Sequence, residues 1–70
     1  MELILYTKEN IVQKVWTHKT EAQANEQMIR ICSEILNEAT DCELSNNEKE
    51  DIEATGEWTC FDEGVTRKYI

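Results

Sequence analysis

Two short segments near the start of the chain are rich in aliphatic, β-branched and aromatic residues, a composition typical of strands. They cover residues 2–6 and 11–17, and the four residues from Thr7 to Asn10 separate them. A loop of this length commonly joins neighbouring antiparallel strands. The pattern therefore predicts a β-hairpin at the start of the chain.

The next segment has apolar residues at the spacing of one helix face. Thr20 is followed three residues later by Gln23, which is the signature of a capping box at a helix N-terminus. The apolar positions that follow are Met28, Ile31, Cys32, Ile35, Leu36 and Ala39. This spacing predicts a helix over about residues 20–39 with one buried face.

A second, shorter helix is indicated between residues 40 and 56. Ser45 and Glu48 form another capping box, and Gly56 is placed to end the helix in the left-handed conformation. Ile52 is the only large apolar residue able to anchor it, and the surrounding carboxylates repel one another. We expect this helix to be marginal by itself.

The last segment again has the composition of paired strands. Residues 57–61 and 65–70 are separated by Asp62, Glu63 and Gly64, and a glycine readily adopts the left-handed conformation that such a turn requires at its last position. This predicts a second β-hairpin. Four aromatic residues on the strand-like segments are expected in the core: Trp16, Trp58, Phe61 and Tyr69.

Together these elements predict an α+β fold of two layers. An antiparallel sheet of two β-hairpins packs on one long helix, in the order ββα(α)ββ. The 70 residues fit one domain, 1–70, and leave no room for a second core. A core of this size usually supplies only a few kcal/mol of stability, so a homodimer is an open alternative.

The distribution of charge along the chain says more about function than the overall composition does. The formal net charge is −8 and the sequence pI is about 4.4, so the chain repels nucleic acid and anionic membranes and attracts basic surfaces. Residues 1–37 are nearly balanced, with five acidic and four basic residues, whereas residues 38–63 carry ten acidic residues against Lys49 alone, a local charge of −9. We call residues 38–63 the acidic segment. Its acidic residues are Glu38, Asp41, Glu43, Glu48, Glu50, Asp51, Glu53, Glu57, Asp62 and Glu63.

A single-sign segment favours a binding role, because a surface that only maintains solubility more often intersperses the two signs. Duplex DNA offers about one phosphate per 1.7 Å of its axis, and carboxylates on a short helix and its flanking loops can present charge at a comparable density. The ten acidic residues are therefore the candidate partner-binding site. A solvated acidic loop without a partner is the alternative interpretation.

Metal binding is not favoured by the spacing of the ligands. In the stretch from Asp41 to Ile52, Asn46 stands where an EF-hand loop requires glycine, and Ile52 stands where it requires glutamate. The three cysteines and His18 match a zinc ligand count, but the cysteines lie ten and eighteen residues apart, unlike any zinc knuckle or ribbon. We expect no metal and no other cofactor.

Catalysis and export are not favoured either. His18 is the single histidine, no nucleophile motif is present, and the two glycines are too far apart for a phosphate-binding loop. The apolar stretch at the N-terminus is four residues long, far shorter than a signal peptide requires. The odd number of widely spaced cysteines is typical of a reducing compartment. We expect a non-enzymatic protein of the cytoplasm.

In size, acidity and its ββα start, the chain resembles the small acidic DNA-mimic proteins that phages make to disable host DNA-binding proteins. Within that class its length and charge are most similar to those of the phage host-takeover protein that inhibits the bacterial nucleoid protein HU. The resemblance covers the whole chain but contains no diagnostic motif. It implies a basic DNA-binding partner such as HU, competition with DNA, and association with the nucleoid of the host bacterium.

The leading hypothesis is therefore an inhibitor that presents the acidic segment to an HU-like protein and excludes DNA from it, without binding nucleic acid or membranes itself. One alternative is an interaction module that binds another cytoplasmic protein through its aromatic residues and an exposed sheet edge. Other small acidic inhibitors, of restriction enzymes, CRISPR effectors or glycosylases, share its size and charge. A metal-binding protein or a small enzyme is the third class.

Overall fold

The computed structural model describes residues 1–7 and 9–68 of the chain. Its elements are β1 (Glu2–Thr7), β2 (Val12–Thr17), α1 (Glu21–Thr40), α2 (Asn46–Thr55), β3 (Glu57–Cys60) and β4 (Glu63–Lys68). This is the predicted α+β fold, with the order ββααββ. Both predicted helices are present within one residue of their expected starts.

The four strands form one antiparallel sheet in the order β2-β1-β4-β3. The two hairpins therefore meet along β1 and β4, the strands nearest the two ends of the chain. In this pairing Leu5 lies opposite Val65, and Leu3 lies opposite Arg67. Long-range pairing in the centre of the sheet thus joins the N-terminal and C-terminal halves of the domain.

The core lies between the sheet and the two helices. Leu3 and Val65 from the central strands, Met28 and Cys32 from α1, and Ile52 from α2 are buried together. Side chains alternate between the faces of a strand, so residues in register with Leu3 and Val65 also point toward the helices. Trp16 and Trp58 do so, and both are half-buried against this core, as expected.

The buried face of α1 is shifted toward its N-terminus relative to the prediction. Met28 and Cys32 are fully buried, but Ala39 is exposed and Ala24 is fully buried. Ala39 lies in the last turn of α1, where it lines an open depression with Phe61 and Asp62.

Both helix starts are capped by the predicted hydroxyl, but the complete capping box forms at α2, whereas at α1 the Gln23 side chain accepts from Lys19 N at 3.3 Å. The Thr20 hydroxyl accepts from Gln23 N at 3.2 Å, and the Ser45 hydroxyl accepts from Glu48 N at 3.2 Å. The Glu48 carboxylate also accepts from Ser45 N, which completes the capping box of α2. Gly56 ends α2 with a φ of 70°, in the left-handed region. Ile52, the predicted anchor, is buried in the core.

The second hairpin differs from the prediction in its turn. Cys60 pairs directly with Glu63, so the loop contains only Phe61 and Asp62, and β4 already begins at Glu63. The left-handed residue is Phe61, with a φ of 53°, and Gly64 lies inside β4 in an ordinary conformation. The expectation that Gly64 makes the turn was wrong, because the close approach of Tyr6 is what needs a glycine there.

The expectation that Phe61 lies in the core was also wrong. Phe61 lies in the turn between β3 and β4 and not in a strand, and 74% of its surface is exposed. The expectation for Tyr69 falls outside the described residues. Of the three predicted core aromatic residues that the structure describes, the two tryptophans pack on the core.

Candidate protein-binding surface

The acidic segment runs from the last turn of α1, through the connecting loop and α2, to the start of β4. Within it, Glu63 is partly buried, and the other nine acidic residues are exposed. Because Ile52 and the α1 core residues face the sheet from the same side, α1 and α2 cover one face of the sheet together. The acidic segment therefore lies mostly on the helical side of the domain.

The four acidic residues of α2 are not equivalent. The Glu48 carboxylate is bound to the Ser45 hydroxyl at 3.1 Å and to Ser45 N at 3.4 Å, so its first role is to hold the start of the helix. At 100° per residue, Glu50 lies on the side of α2 opposite the buried Ile52, and Asp51 and Glu53 lie on its two flanks. These three side chains project from the outer surface of the helix.

Two residues of α1 join this surface although they lie outside the acidic segment in the sequence. A depression between the helices is lined by Glu34 and Asn37 of α1 together with Glu43 and Lys49. A second depression is lined by Glu26 of α1 and Glu53 of α2. Sequence reasoning assigned Glu26 and Glu34 to the balanced half of the chain. The helical periodicity of α1 could have identified their exposure, but not their neighbours.

A third depression lies at the end of α1 beside the β3–β4 turn. Glu38 of α1 and the acidic pair Asp62 and Glu63 line it, together with the Phe61 ring and the partly buried Cys60. The exposed ring of Phe61 therefore lies beside three carboxylates. This combination of an exposed aromatic ring and neighbouring negative charges was not anticipated from the sequence.

Glu57 is the candidate residue that the structure does not bring to this surface. It pairs with Thr66, which in turn lies opposite Ile4 on β1. By strand alternation these residues point away from the helices. Glu57 accordingly lines a groove on the opposite face of the sheet with Ile4, Tyr6 and Lys68.

Several basic side chains of the described residues contact residues outside the acidic segment. Arg67 has a side chain only 4% exposed, lies 3.3 Å from the Glu21 carboxylate, and contacts Asn25 Oδ1. Arg30 lies 3.7 Å from Glu26, an exposed pair that contributes little to stability. The Lys14 ammonium lies 5.0 Å from the centroid of the Trp16 ring. Lys49 is the basic residue within the segment itself.

The cysteines differ sharply in environment. Burial raises the pKa of the Cys32 thiol from 9.0 to about 12, because the core disfavours the charged thiolate. Cys42 is exposed and Cys60 is partly buried, and all three are free thiols. Cys32 therefore serves as an apolar core residue, in agreement with its place on the buried face of α1.

The side chains able to ligate a metal and the single histidine were compared across the described residues. Within residues 1–7 and 9–68, no three His, Cys, Asp or Glu side chains are grouped so that they could hold a metal ion. The His18 ring contacts Gln27 Oε1, and the remaining residues that line its depression are Gln23, Glu26 and Arg30. Neither helix is long and apolar enough to cross a lipid bilayer.

Comparison with known proteins yields no relative: no family model, curated protein or solved structure matches this chain.

Proposed function

We propose that this protein is a non-enzymatic inhibitor that binds a basic DNA-binding protein through its acidic surface and keeps DNA from the same site. The observation that carries the proposal is the exposure of the carboxylates of α2, the end of α1 and the β3–β4 turn on the helical side of one small domain. Arg67 lies 3.3 Å from Glu21 of α1, and Arg30 pairs with Glu26, one of the two α1 residues that join this surface.

Lysine and arginine side chains that bind the DNA backbone are positioned by shape and charge rather than by base sequence. A protein surface can satisfy them with carboxylates, which form charge-assisted hydrogen bonds as phosphates do. An array of carboxylates on a helix and its neighbouring turns therefore competes with DNA without resembling its bases.

An HU-like nucleoid protein fits this description. Such architectural proteins bind DNA largely through its backbone and its deformability, with little base readout. Such a partner would place the protein at the nucleoid of a bacterial cell. Its action there would displace DNA and disturb the organisation of the chromosome.

A gel-shift competition tests the proposal directly. Purified HU bound to duplex DNA is titrated with the acidic protein, and we expect free DNA to appear as the protein binds HU. Because opposite charges attract over a Debye length of about 10 Å at 0.1 M salt, the competition should weaken as the salt concentration rises. Complexes that stay intact in a large excess of the acidic protein, with HU and with other basic DNA-binding proteins, would contradict the proposal.

A matched pair of variants then tests the surface. The test variant, Glu50→Lys with Glu53→Lys, changes two outward residues of α2. The control variant, Glu9→Lys with Glu57→Lys, makes the same change in net charge elsewhere: Glu9 lies in the first hairpin loop and Glu57 on the opposite face of the sheet. The α2 variant should remain folded, because Lys near a helix C-terminus is favourable for the helix dipole. We expect it to lose at least about tenfold in affinity, roughly 1.4 kcal/mol.

The control variant, Glu9→Lys with Glu57→Lys, should lose much less affinity for the partner. Its loss should disappear at high salt, because only long-range attraction is weakened. Equal losses in the two variants would mean that net charge alone determines binding. In that case the helical surface would not be a binding site.

A further inference from the structure

The face of the sheet that points away from the helices is apolar along one side. Ile4 and Tyr6 of β1 and Val12 and Val15 of β2 all lie on it by register. Val12 is 55% exposed and Val15 is 45% exposed. An antiparallel sheet with one face in water normally carries polar residues on that face. We call this surface the open face.

The apolar side chains on the open face are contiguous. Ile4, Tyr6 and Val12 line one shallow groove, which continues across β4 to Thr66. Ile11, which directly precedes β2, is 61% exposed. The groove therefore extends from the β2 edge into the centre of the sheet, as a docking surface would, rather than being a set of scattered apolar residues.

The charge of the open face indicates what can cover it. Glu2 and Lys68 lie directly opposite each other on β1 and β4, and Glu57 adds one negative charge. This face is thus nearly neutral in a chain of net charge −8. A basic partner is attracted to the helical side instead. A second copy of this chain meets the least repulsion here, because the two helical sides then point away from each other.

We infer that two copies of this chain associate through their open faces, so that the two sheets pack face to face around Ile4, Tyr6, Val12 and Val15. The small core of the single domain supports this inference, since small domains often gain stability by burying a second apolar surface on association. The inference goes beyond the proposed inhibitor function, because the carboxylates of α2 and the β3–β4 turn remain exposed in the dimer.

The area of the open face determines how strongly the two copies are expected to associate. Three strands of six residues and one of four, about 4.8 Å apart and at roughly 3.3 Å per residue, span about 350 Å² on each copy. About 700 Å² in projection for the two copies is below the roughly 1,200 Å² of stable interfaces and falls in the range of weak, transient ones. The dimer should therefore dissociate on dilution in the micromolar range or above.

Sedimentation equilibrium from about 10 µM to 1 mM, with matched variants, tests the dimer. Val12→Lys with Val15→Lys places two charges on the open face, and Asn47→Lys with Ala54→Lys places two on the outer surface of α2. Both variants have a net charge of −6, obtained from −8 by adding two positive charges. Repulsion between copies is thus lower than in the natural chain for both, and circular dichroism checks that both are folded.

We expect the natural chain and the variant Asn47→Lys with Ala54→Lys to dimerise. The open-face variant, Val12→Lys with Val15→Lys, should be monomeric over the whole concentration range. A natural chain that stays monomeric at 1 mM would overturn the inference, whether the face is simply solvated or is reserved for a different protein. Dimerisation of a folded open-face variant at unchanged strength would overturn it as well.

Amide chemical shifts on dilution of the natural chain give a second readout that needs no variant. The expected changes are confined to the open face, around Ile4, Tyr6, Val15 and Thr66. New protection of the outward amides of β2 from hydrogen exchange would indicate edge-to-edge strand pairing and would overturn the face-to-face arrangement. Changes confined to α2 would overturn it too.

Discussion

The Tyr6 ring lies directly over Gly64 on the open face of the sheet: a Cβ atom at position 64 would be 2.6 Å from Tyr6 Cζ. The two residues are cross-strand partners on β1 and β4. A glycine inside a strand often marks a close approach of another group, and here that group is an aromatic side chain. The ring thereby covers part of a sheet face that is otherwise exposed.

Gly64→Ala should therefore displace the Tyr6 ring. We expect a loss of about 1 kcal/mol in the free energy of unfolding, at the low end of the cost of overpacking because the ring can swing toward solvent. Urea unfolding monitored by tryptophan fluorescence measures it. In a Tyr6→Ala background the same glycine substitution should cost nothing, and a full additional loss there would show that the clash with Tyr6 is not the cause.

The two helix caps permit a comparison between stability and binding. Ser45→Ala and Thr20→Ala each remove one hydroxyl that caps a helix, and each should lower the free energy of unfolding by about 1 kcal/mol. Only Ser45→Ala should also weaken binding to a basic partner, because the α2 carboxylates depend on that cap for their arrangement. Calorimetric titration with HU, under conditions where both variants are folded, makes the comparison. Equal affinities would argue against an ordered α2 as the binding element.

Phe61 is held in a conformation that a glycine adopts without strain. Its φ of 53° costs an ordinary residue roughly 1–2 kcal/mol, whereas glycine has more conformational entropy to lose on folding. Phe61→Gly should therefore leave stability unchanged or slightly improved. A loss of partner affinity in this variant would then report the missing ring and not a damaged fold.

We expect the affinity loss of Phe61→Gly to be smaller than that of Glu50→Lys with Glu53→Lys, since carboxylates carry most of the proposed recognition. Isothermal titration of both variants against the same partner decides the order. If the phenylalanine variant loses more, aromatic contact dominates, and the alternative of an aromatic interaction module is favoured.

The cysteines should react in the order of their exposure. Iodoacetamide should label the exposed Cys42 quickly and Cys60 more slowly, while Cys32 should react only after unfolding. Between pH 9 and about 12 the unfolded chain releases the Cys32 proton and the folded chain retains it. The unfolded state then binds fewer protons, so the free energy of unfolding falls as the pH rises through this range. Rapid labelling of Cys32 in the folded protein would contradict its buried position.

The sequence determined the local structure well. Ser45 and Glu48 identified the start of α2, Gly56 identified its end, and the apolar spacing identified α1, because capping hydrogen bonds and helical periodicity involve residues only three or four positions apart. The turn of the second hairpin was missed. Gly64 was a reasonable turn residue by its own conformational freedom, and only its contact with Tyr6 shows what the glycine permits.

Composition and charge were also fixed by the sequence, including the acidic segment and its imbalance. The tertiary structure decided which charges share a surface. It brings Glu26 beside Glu53 and Glu34 beside Glu43, and it separates Glu57 from the other acidic residues. The reason is that these neighbours depend on how α1 packs on α2 and on the register of β3, both of which follow from long-range burial and not from local pattern.

The pairing of β1 with β4 is the clearest case of what only the tertiary structure decided. It places the two strands from opposite ends of the chain in the centre of the sheet, and buries Arg67 beside Glu21 of α1. A basic residue that the sequence counts as surface charge is therefore internal, and the apolar residues of the first hairpin are left on an open face. Hairpin and helix signals act over short stretches of chain, whereas this arrangement depends on which surfaces can be buried together.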